Sequence, residues 1–577
     1  MDPERLGERT TVGLFLRQAA RYGDRTLVRY HDGQGWKGAS WNRMADLGMR
    51  VAARLVADGV KAGDRVAIMA DNRFEWLYCD LAIQAAGAVT VPIYPSTPAR
   101  TAQVIADDAG TRLAFVDDGL RDRLRLDRVV AFDADLPAWV AEPPDPELLA
   151  EVETRAAALQ PDDLATLVYT SGTTGVPKGV MLPHRCFVDM ARSCLEVFDI
   201  GPDDESLSFL PYSHVFERIN GVFVGLAAGG SAWISRGVPS LLEDLHECRP
   251  TVMVSVPRVY EKMHQQVMAV VREQPPHRKA IFRWAIGQGR RRMRGQAAPL
   301  HPIAERLVLG PLRKRLTGGR LRFFVSGGAP LSAEVESFFW SIGLKILNGW
   351  GMTETSSGAT SNTESRHRFE TVGPPLPGVE IRIAEDGEIL IKGPGNMTGY
   401  YNNPEATAET LVDGWVRTGD IGELDDGFMR ITDRKKELLK TAGGKFVAPS
   451  PMETRLMQDP AIERAVVIGD ERPYVTALIV PDWRTLEVEH GVKGRPEDLC
   501  GDERARGVVQ RAIDELNRDL GSWEAVKYFE LLAHDFSEEG GELTPTLKVK
   551  RRVVQERYGD RIETMYQGKV RPPAAAH

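Results

Sequence analysis

The residues from Tyr169 to Gly179, YTSGTTGVPKG, concentrate the groups best suited to chemistry. Thr170, Ser171, Thr173 and Thr174 are short hydroxyl donors. Gly172 and Gly175 let successive backbone N–H groups converge into an anion nest, and Lys178 adds a positive charge. The guest that fits such a loop is a phosphate chain. A Walker loop needs four residues between its glycines and Ser or Thr after its lysine. Here two residues separate Gly172 from Gly175, and Gly179 follows Lys178. The other use of such a stretch is a Ser/Thr/Gly-rich surface turn.

Further constellations follow downstream. In NGWGMTET, Asn348 to Thr355, Trp350 offers a face to a purine, Thr353 a hydroxyl to phosphate, and Glu354 a hard oxygen ligand for Mg²⁺. Gly349 and Gly351 flank the tryptophan. Gly327 and Gly328, with Ala329 after them, allow close backbone approach to a flat ligand. Asp420, in a TGD turn, can accept both hydroxyls of a ribose, and Arg434 lies fourteen residues on, within reach of the same ribose or its phosphate. His214, in PYSHVFER, follows a strand-like run, where doubly wound sheets build ligand sites. A lone histidine is also often a satisfied core residue.

Positioning these groups requires an α/β scaffold. Leu164–Tyr169, Arg65–Ala70, Val89–Ile93, Ser206–Leu210, Thr251–Val256, Leu321–Val325 and Lys345–Leu347 are short apolar runs of buried-strand type. Helical spacing marks Val12, Leu14, Phe15 and Ala19, then Leu47, Val51, Leu55 and Val56, and a helix spans Arg73–Ala86. Strand, helix, strand with short turns is a βαβ unit. From Gly373 to Gly393 short alternating strands with Gly-Pro turns predict a small barrel, and Asp425-Asp426-Gly427 a hairpin turn. The last 140 residues or so predict a separate α+β domain, with a helix at Ala505–Leu520. Phe223, Leu226, Trp233 and Ile234 are apolar residues of which some can line an acyl tunnel.

At 577 residues the chain exceeds one core, and roughly three to five compact units are expected. A net charge of −8 argues against a nucleic-acid binder. Cys79, Cys186, Cys194, Cys248 and Cys500 form no CxxC pair and fit free thiols in a reducing, cytoplasmic setting. No secretory h-region or membrane-length apolar run is visible, and Pro572–His577 has the composition of a disordered tail. Arg272–Arg322 is strongly basic, with Arg290, Arg291, Arg292, Arg294, Arg313, Lys314 and Arg315 opposed only by Glu273 and Glu305. Such a run is usually a solvated helix face; it can also meet anionic lipid, as a peripheral membrane contact, or a CoA phosphate. The oligomeric state stays open, with a homodimer among the options.

Four motifs, the Tyr169–Gly179 loop, NGWGMTET, GWVRTGD…DRKKELLKTAGGK and ELTPTLKVKRR, occur in the order found in acyl-adenylate-forming enzymes. The chain from about residue 10 to about 560 resembles that superfamily, which includes acyl-CoA synthetases, amino-acid adenylation domains and firefly luciferase. The basic insertion makes it most similar to long-chain fatty acid–CoA ligases. Trp350 stands where Tyr is commoner, and Leu547 where many members have Gly.

The resemblance implies a large N-terminal domain, 1–433, of two doubly wound α/β subdomains plus a small β-barrel. A hinge at 434–436, centred on Lys436, and a mobile α+β lid, 437–577, complete it. It implies a fatty acid, ATP, Mg²⁺ and CoA as partners. Thr170 and Glu354 would hold the metal, and Lys548 would be the catalytic lysine. Lys440, Gly443 and Gly444 would lie near the thiol channel, and His214 between that channel and the acyl pocket. Alternatives are a fatty acyl-AMP ligase serving a carrier protein, an amino-acid adenylation domain, whose substrate ammonium would have only Glu217 of the PYSHVFER region as partner, and a non-catalytic acyl or nucleotide binder.

Overall fold

The computed structural model describes residues 8–171, 177–435, 437–443, 445–537, 540–543 and 549–567. The chain divides into two compact units. One comprises Met1–Arg382, Leu390–Thr418 and Asp425–Met429; the other Ile383–Ile389, Gly419–Leu424 and Arg430–His577.

The first unit holds two doubly wound sheets. In the seven-stranded sheet the parallel strands Leu164–Ser171, Val89–Ile93, Arg65–Met69, Leu113–Val116 and Arg128–Ala131 lie side by side in that order. Antiparallel Pro177–Pro183 and Gly399–Tyr400 extend its edge. The eight-stranded sheet is built on Lys345–Trp350, Phe323–Ser326, Val252–Ser255, Glu205–Ser208 and Ser231–Ile234. Thr26–His31 joins it in parallel beside Ser231–Ile234, with Val28 opposite Ala232, and Trp36–Ser40 returns antiparallel.

Both faces of each sheet are covered, which is why the strands read as unbroken apolar runs. Val66 and Ile68 enter one core, alternate residues Ala67 and Met69 another. In the second sheet Val252 and Phe323 pack on one side, Met253 and Phe324 on the other. Helix Thr11–Tyr22 is N-capped by Thr10 and helix Trp41–Ala57 by Ser40, whose hydroxyls take backbone N–H groups of the first turn.

A buried ion pair ties the two sheets together. Arg218, in the π-helical turn Glu217–Phe223, donates from Nε to Asp80 Oδ2 at 3.0 Å and from Nη1 to Thr166 Oγ1 at 2.7 Å. Asp80 also accepts from Thr90 Oγ1 and Gln84 Nε2. The guanidinium packs over the Trp76 and Phe187 rings.

Five strands between Glu380 and Arg434 make a further sheet. Its hairpin turn has Asp426 and Gly427 both at positive φ, 48° and 76°, as a tight two-residue turn requires. In the second unit, Ile462–Ile468, Val475–Pro481 and Val526–Leu531 form a three-stranded sheet against helix Glu503–Asn517. The chain thus makes two contact units, fewer than the three to five its length suggests.

Removing one member of a buried pair strands the other charge, at about 3–5 kcal/mol. Arg218→Ala is expected to lower unfolding stability by that order in urea titration. A loss below about 0.5 kcal/mol, the level of an ordinary surface change, would refute the tie.

Candidate active site

Strand pairing places Thr170 opposite Lys178 at the mouth of the Leu164–Pro183 hairpin. Of the loop between them, Gly172, Thr173, Thr174 and Gly175 lie outside the described residues, and Ser171 is described by its backbone alone. The Lys178 ammonium lies 5.1 Å from the centre of the Tyr400 ring. The Tyr400 hydroxyl donates to Glu354 Oε1 at 2.7 Å. Both residues are buried, and burial beside the carboxylate pushes the Tyr400 phenol well above its ordinary pKa.

One segment fixes this trio. Met397 N–H donates to Glu354 C=O at 2.9 Å, Tyr400 stands opposite Val180, and Tyr401 N–H donates to Gly179 C=O at 2.8 Å. It therefore stitches the turn bearing Glu354 to the strand bearing Lys178. Tyr400 was missed in the sequence, since nothing in the spacing of GYYNN marks it.

Thr353–Thr355 is a single 3₁₀ turn leaving the strand Lys345–Trp350. Ser356 and Ser357 follow at positive φ, 53° and 82°, a strained backbone for residues with side chains. Gly351 is required sterically, because a Cβ there would collide with the Ser357 carbonyl. Gly349 packs in the same way on Thr360, and Gly327 on the Phe216 ring. At these three positions the close neighbour is protein backbone or side chain. The Asn348 side chain donates to Thr371 C=O at 3.4 Å, a structural bond. Gly327, Gly328 and Ala329 continue from Phe323–Ser326, where Ser326 stands beside Asn348, so both segments leave neighbouring strand ends. Trp350 pairs with Thr360.

The PYSHVFER loop is pinned to the other sheet. Asn72 Nδ2 donates to Leu210 C=O at 2.7 Å, Tyr212 N–H to Asn72 Oδ1 at 2.9 Å, and Ser213 Oγ to Ile93 C=O at 3.1 Å. His214 Nδ1 accepts the Phe216 N–H at 3.1 Å, which leaves Nε2 to carry the proton of the neutral ring. His214 thus sits where the strand ends of both sheets meet, 6.5 Å from the Tyr94 ring.

Glu217 is fully buried. Its Oε1 pairs with the Ser208 hydroxyl, and its Oε2 has no hydrogen-bond partner among the described residues. Burial pushes its pKa up to about 8 against the opposing Ser208 hydrogen bond, so the group is a neutral acid at pH 7. It fills the space where a side chain on Gly221 would go.

A cavity of about 40 Å³ opens beside that turn, lined by Cys194, Phe198, Asn220, Val254, Phe323 and Val325 among others. Asn220 Nδ2 donates to Ser357 Oγ, linking the cavity wall to the turn after Glu354. The apolar candidates read from the sequence do not line it. Phe223 packs edge-on to Phe187, Leu226 borders two cores, Ile234 belongs to the first core, and Trp233 carries the Arg29 guanidinium.

In the second unit Arg434 Nε pairs with Asp420 Oδ1 at 3.2 Å. Asp420 is in the long strand Trp415–Asp425, a correction to the turn expected from TGD. Gly419, at φ 69°, produces the turn-like sequence inside the strand. Gly419 N–H donates to buried Glu388 Oε1 at 3.1 Å, and Lys435 Nζ reaches Glu388 Oε2 at 3.0 Å. Neither Glu388 nor Lys435 was singled out beforehand. Lys440 lies in the short strand Leu439–Lys440 and Gly443 in the turn that follows. Lys436, Gly444 and Lys548 lie outside the described residues.

Two doubly wound sheets with conjoined strand ends, a curled antiparallel sheet and a small α+β domain define the adenylate-forming enzyme fold. The AMP-binding enzyme family model matches residues 15–401, and that of the AMP-binding enzyme C-terminal domain residues 436–570, so the chain belongs to the AMP-binding enzyme family. The long-chain-fatty-acid–CoA ligase FadD15 of Mycobacterium tuberculosis is 36% identical over 576 residues, covering 92% of each chain. The human long-chain-fatty-acid–CoA ligase ACSBG1 is 29% identical, covering 97% of this chain and 85% of its own. The anthranilate CoA ligase AuaEII in complex with anthranoyl-AMP shares the fold at TM-score 0.74 and 19% identity, covering 95% of this chain and 97% of its own. The A domain of carboxylic acid reductase from Segniliparus rugosus, in complex with AMP and a co-purified carboxylic acid, does so at TM-score 0.74 and 24% identity, covering 98% and 96%.

Glu217 yields a pH test. Its folded pKa lies above the ordinary 4.5, so its contribution to stability is present below 4.5 and is lost as pH rises to about 8. Glu217→Gln mimics the protonated acid and does not titrate. Thermal midpoints should favour the variant increasingly between those limits, with no further gain above them. A constant difference across this range would contradict a buried neutral acid.

Proposed function

We propose that the protein is a fatty acid–CoA ligase working in two half-reactions. In the first, a carboxylate oxygen of the fatty acid attacks the α-phosphorus of ATP, the bond to pyrophosphate breaks, and acyl-AMP forms. In the second, the CoA thiolate attacks the acyl carbon and AMP leaves. The substrate supplies its own nucleophile, so the protein contributes position and charge.

The observation that supports this reading is the convergence of Lys178, Tyr400 and Glu354 at the strand on which Thr170 pairs with Lys178. Lys178 and the loop would receive the β- and γ-phosphates. Tyr400 offers the lysine a ring face and the carboxylate a hydroxyl donor, so each would remain available to its own part of the nucleotide. Trp350 and the Gly327–Ala329 segment would flank the adenine, and Asp420 with Arg434 the ribose.

Glu354 and Thr170 fit a magnesium ion arriving with ATP, because Mg²⁺ takes one or two protein oxygens and fills its octahedron from phosphates and water. Among the described residues no cluster of three ligating side chains competes with them. The ion would offset charge on the leaving pyrophosphate.

The small cavity supports an apolar acyl group but holds far less than a drug-sized ligand. A long chain entering there must displace side chains such as Phe198. A long-chain substrate and CoA as acceptor rest on the relatives. Lys548 would bridge carboxylate and α-phosphate, and rotation about Lys436 would then withdraw it and bring Lys440, Gly443 and Gly444 to the thiol side. His214 would yield to the pantetheine arm.

Incubation with ATP, Mg²⁺ and a ladder of free fatty acids, with and without CoA, is expected to give pyrophosphate, AMP and acyl-CoA. Acyl-AMP accumulation unaffected by CoA would instead identify a carrier protein as acceptor, and no pyrophosphate release would leave only a binder. Lys548→Ala should slow adenylation by roughly 10²–10³-fold yet retain thioester formation from supplied acyl-AMP. Equal loss of both steps would defeat the rotation.

A further inference from the structure

Polar side chains lie where two central strands of the eight-stranded sheet end. Ser255 and Ser326 are the last residues of Val252–Ser255 and Phe323–Ser326 and stand opposite each other in parallel register. Alternation along a strand turns both to the face of Met253 and Phe324, whose core also holds Tyr260. Tyr260 lies in the first turn of helix Pro257–Arg272, which follows the first of these strands. Its ring meets Phe324 edge-on at 5.1 Å and Phe339 at 6.0 Å.

All three side chains are fully buried, and none of their hydroxyls has a hydrogen-bond partner among the described residues. The oxygens are nonetheless neighbours. Burial pushes the Tyr260 phenol well above its ordinary pKa, and the nearness of the Ser255 and Ser326 hydroxyls opposes that rise. The phenol is therefore neutral and keeps its proton to donate. Three buried hydroxyls left without partners at one spot are an uncommon and unfavourable arrangement in a folded chain.

Water fits the spot by spacing and by donor count. Adjacent strands stand about 4.8 Å apart, so two in-register hydroxyls on one face start at a spacing that a single bridging water spans. That water can donate to the two serine oxygens and accept the phenol proton. Three bonds are the usual complement of a buried water. An ion at this depth would need a charged partner, and the three groups are neutral.

We propose that Tyr260, Ser255 and Ser326 enclose an ordered internal water, and that through this water Tyr260 is a positioning residue for the Gly327–Ala329 segment. That segment follows Ser326 directly, and Gly327 N–H donates to the Ser255 carbonyl at 3.4 Å. One serine thus holds the segment through the chain and the other through a backbone bond. That bond is long, so a water that fixes both strand ends against the helix also fixes where the segment starts. The positioning role rests on the adenine flank proposed above; the water site does not.

The test is a crystal structure of the full chain at a resolution that shows ordered waters, together with the kinetics of pyrophosphate release. Density for a water within hydrogen-bond reach of all three hydroxyls is expected in the parent, and its loss in Y260F, which removes only the phenol oxygen. The KM for ATP should rise about three- to tenfold in Y260F, the worth of one hydrogen bond. Its kcat and its KM for fatty acid should stay within about twofold of the parent. F339L, which loosens the packing around the same ring and leaves its hydroxyl, should lower the thermal midpoint without moving the KM for ATP. Hydroxyls bonded to one another with no water between them would overturn the proposal. So would an unchanged KM for ATP in Y260F, or a rise shared with F339L. A parent that holds the water yet releases no pyrophosphate would overturn the ligase reading and the positioning role with it, while the water site stands.

Discussion

The contact on which the site depends is the buried guanidinium of Arg218. Two doubly wound sheets presenting their strand ends to one another need something to hold them in register. Here a charge held in the second sheet's π-helical turn is satisfied by Thr166 of the first sheet and by Asp80 on the helix Phe74–Ala85 packed against that sheet. Leaving that charge unpaired in the interior costs several kcal/mol, so the sheets have one low-energy arrangement. Arg218 follows His214 by four residues and donates its own N–H to the His214 carbonyl. The bond that joins the sheets therefore also fixes the loop between them.

A second economy lies in Met397–Tyr401. Cation and carboxylate left in direct contact would neutralise each other and offer little to a nucleotide. The Tyr400 ring gives the lysine a π face and the carboxylate a hydroxyl donor. The backbone bonds of the same short segment reach both the Glu354 carbonyl and the strand bearing Lys178. Lys178 and Glu354, far apart in sequence, are brought together through a stretch that belongs to neither motif.

What could be read in the chain follows from what is local. Arg65–Met69 and Val252–Ser255 announce themselves because a strand buried on both faces must be apolar throughout. The Tyr169–Gly179 stretch and NGWGMTET stand out because their candidate chemistry is packed into a few residues. Partners chosen by tertiary structure leave no such trace. Tyr400 lies 46 residues from Glu354, and Glu388 reaches Gly419 across 31 residues. Asp420 was misplaced because a glycine at positive φ looks alike in a turn and in an irregular strand. Which apolar residues line the cavity depends on the direction each side chain takes from its element: Ile234 entered the first core and Phe223 packed on Phe187 instead.

The hairpin Thr26–Ser40 completes a sheet whose adjoining strand, Ser231–Ile234, comes about 200 residues later. At a ribosomal pace of roughly 5–20 residues per second, that partner emerges some 10–40 s after the hairpin does. For that interval Leu27 and Val28 form part of an unpaired strand edge, and two strands alone are barely stable in water. The nascent chain therefore needs shelter for its first segment, and the speed of synthesis becomes one of the variables that decide how much of it reaches the native sheet.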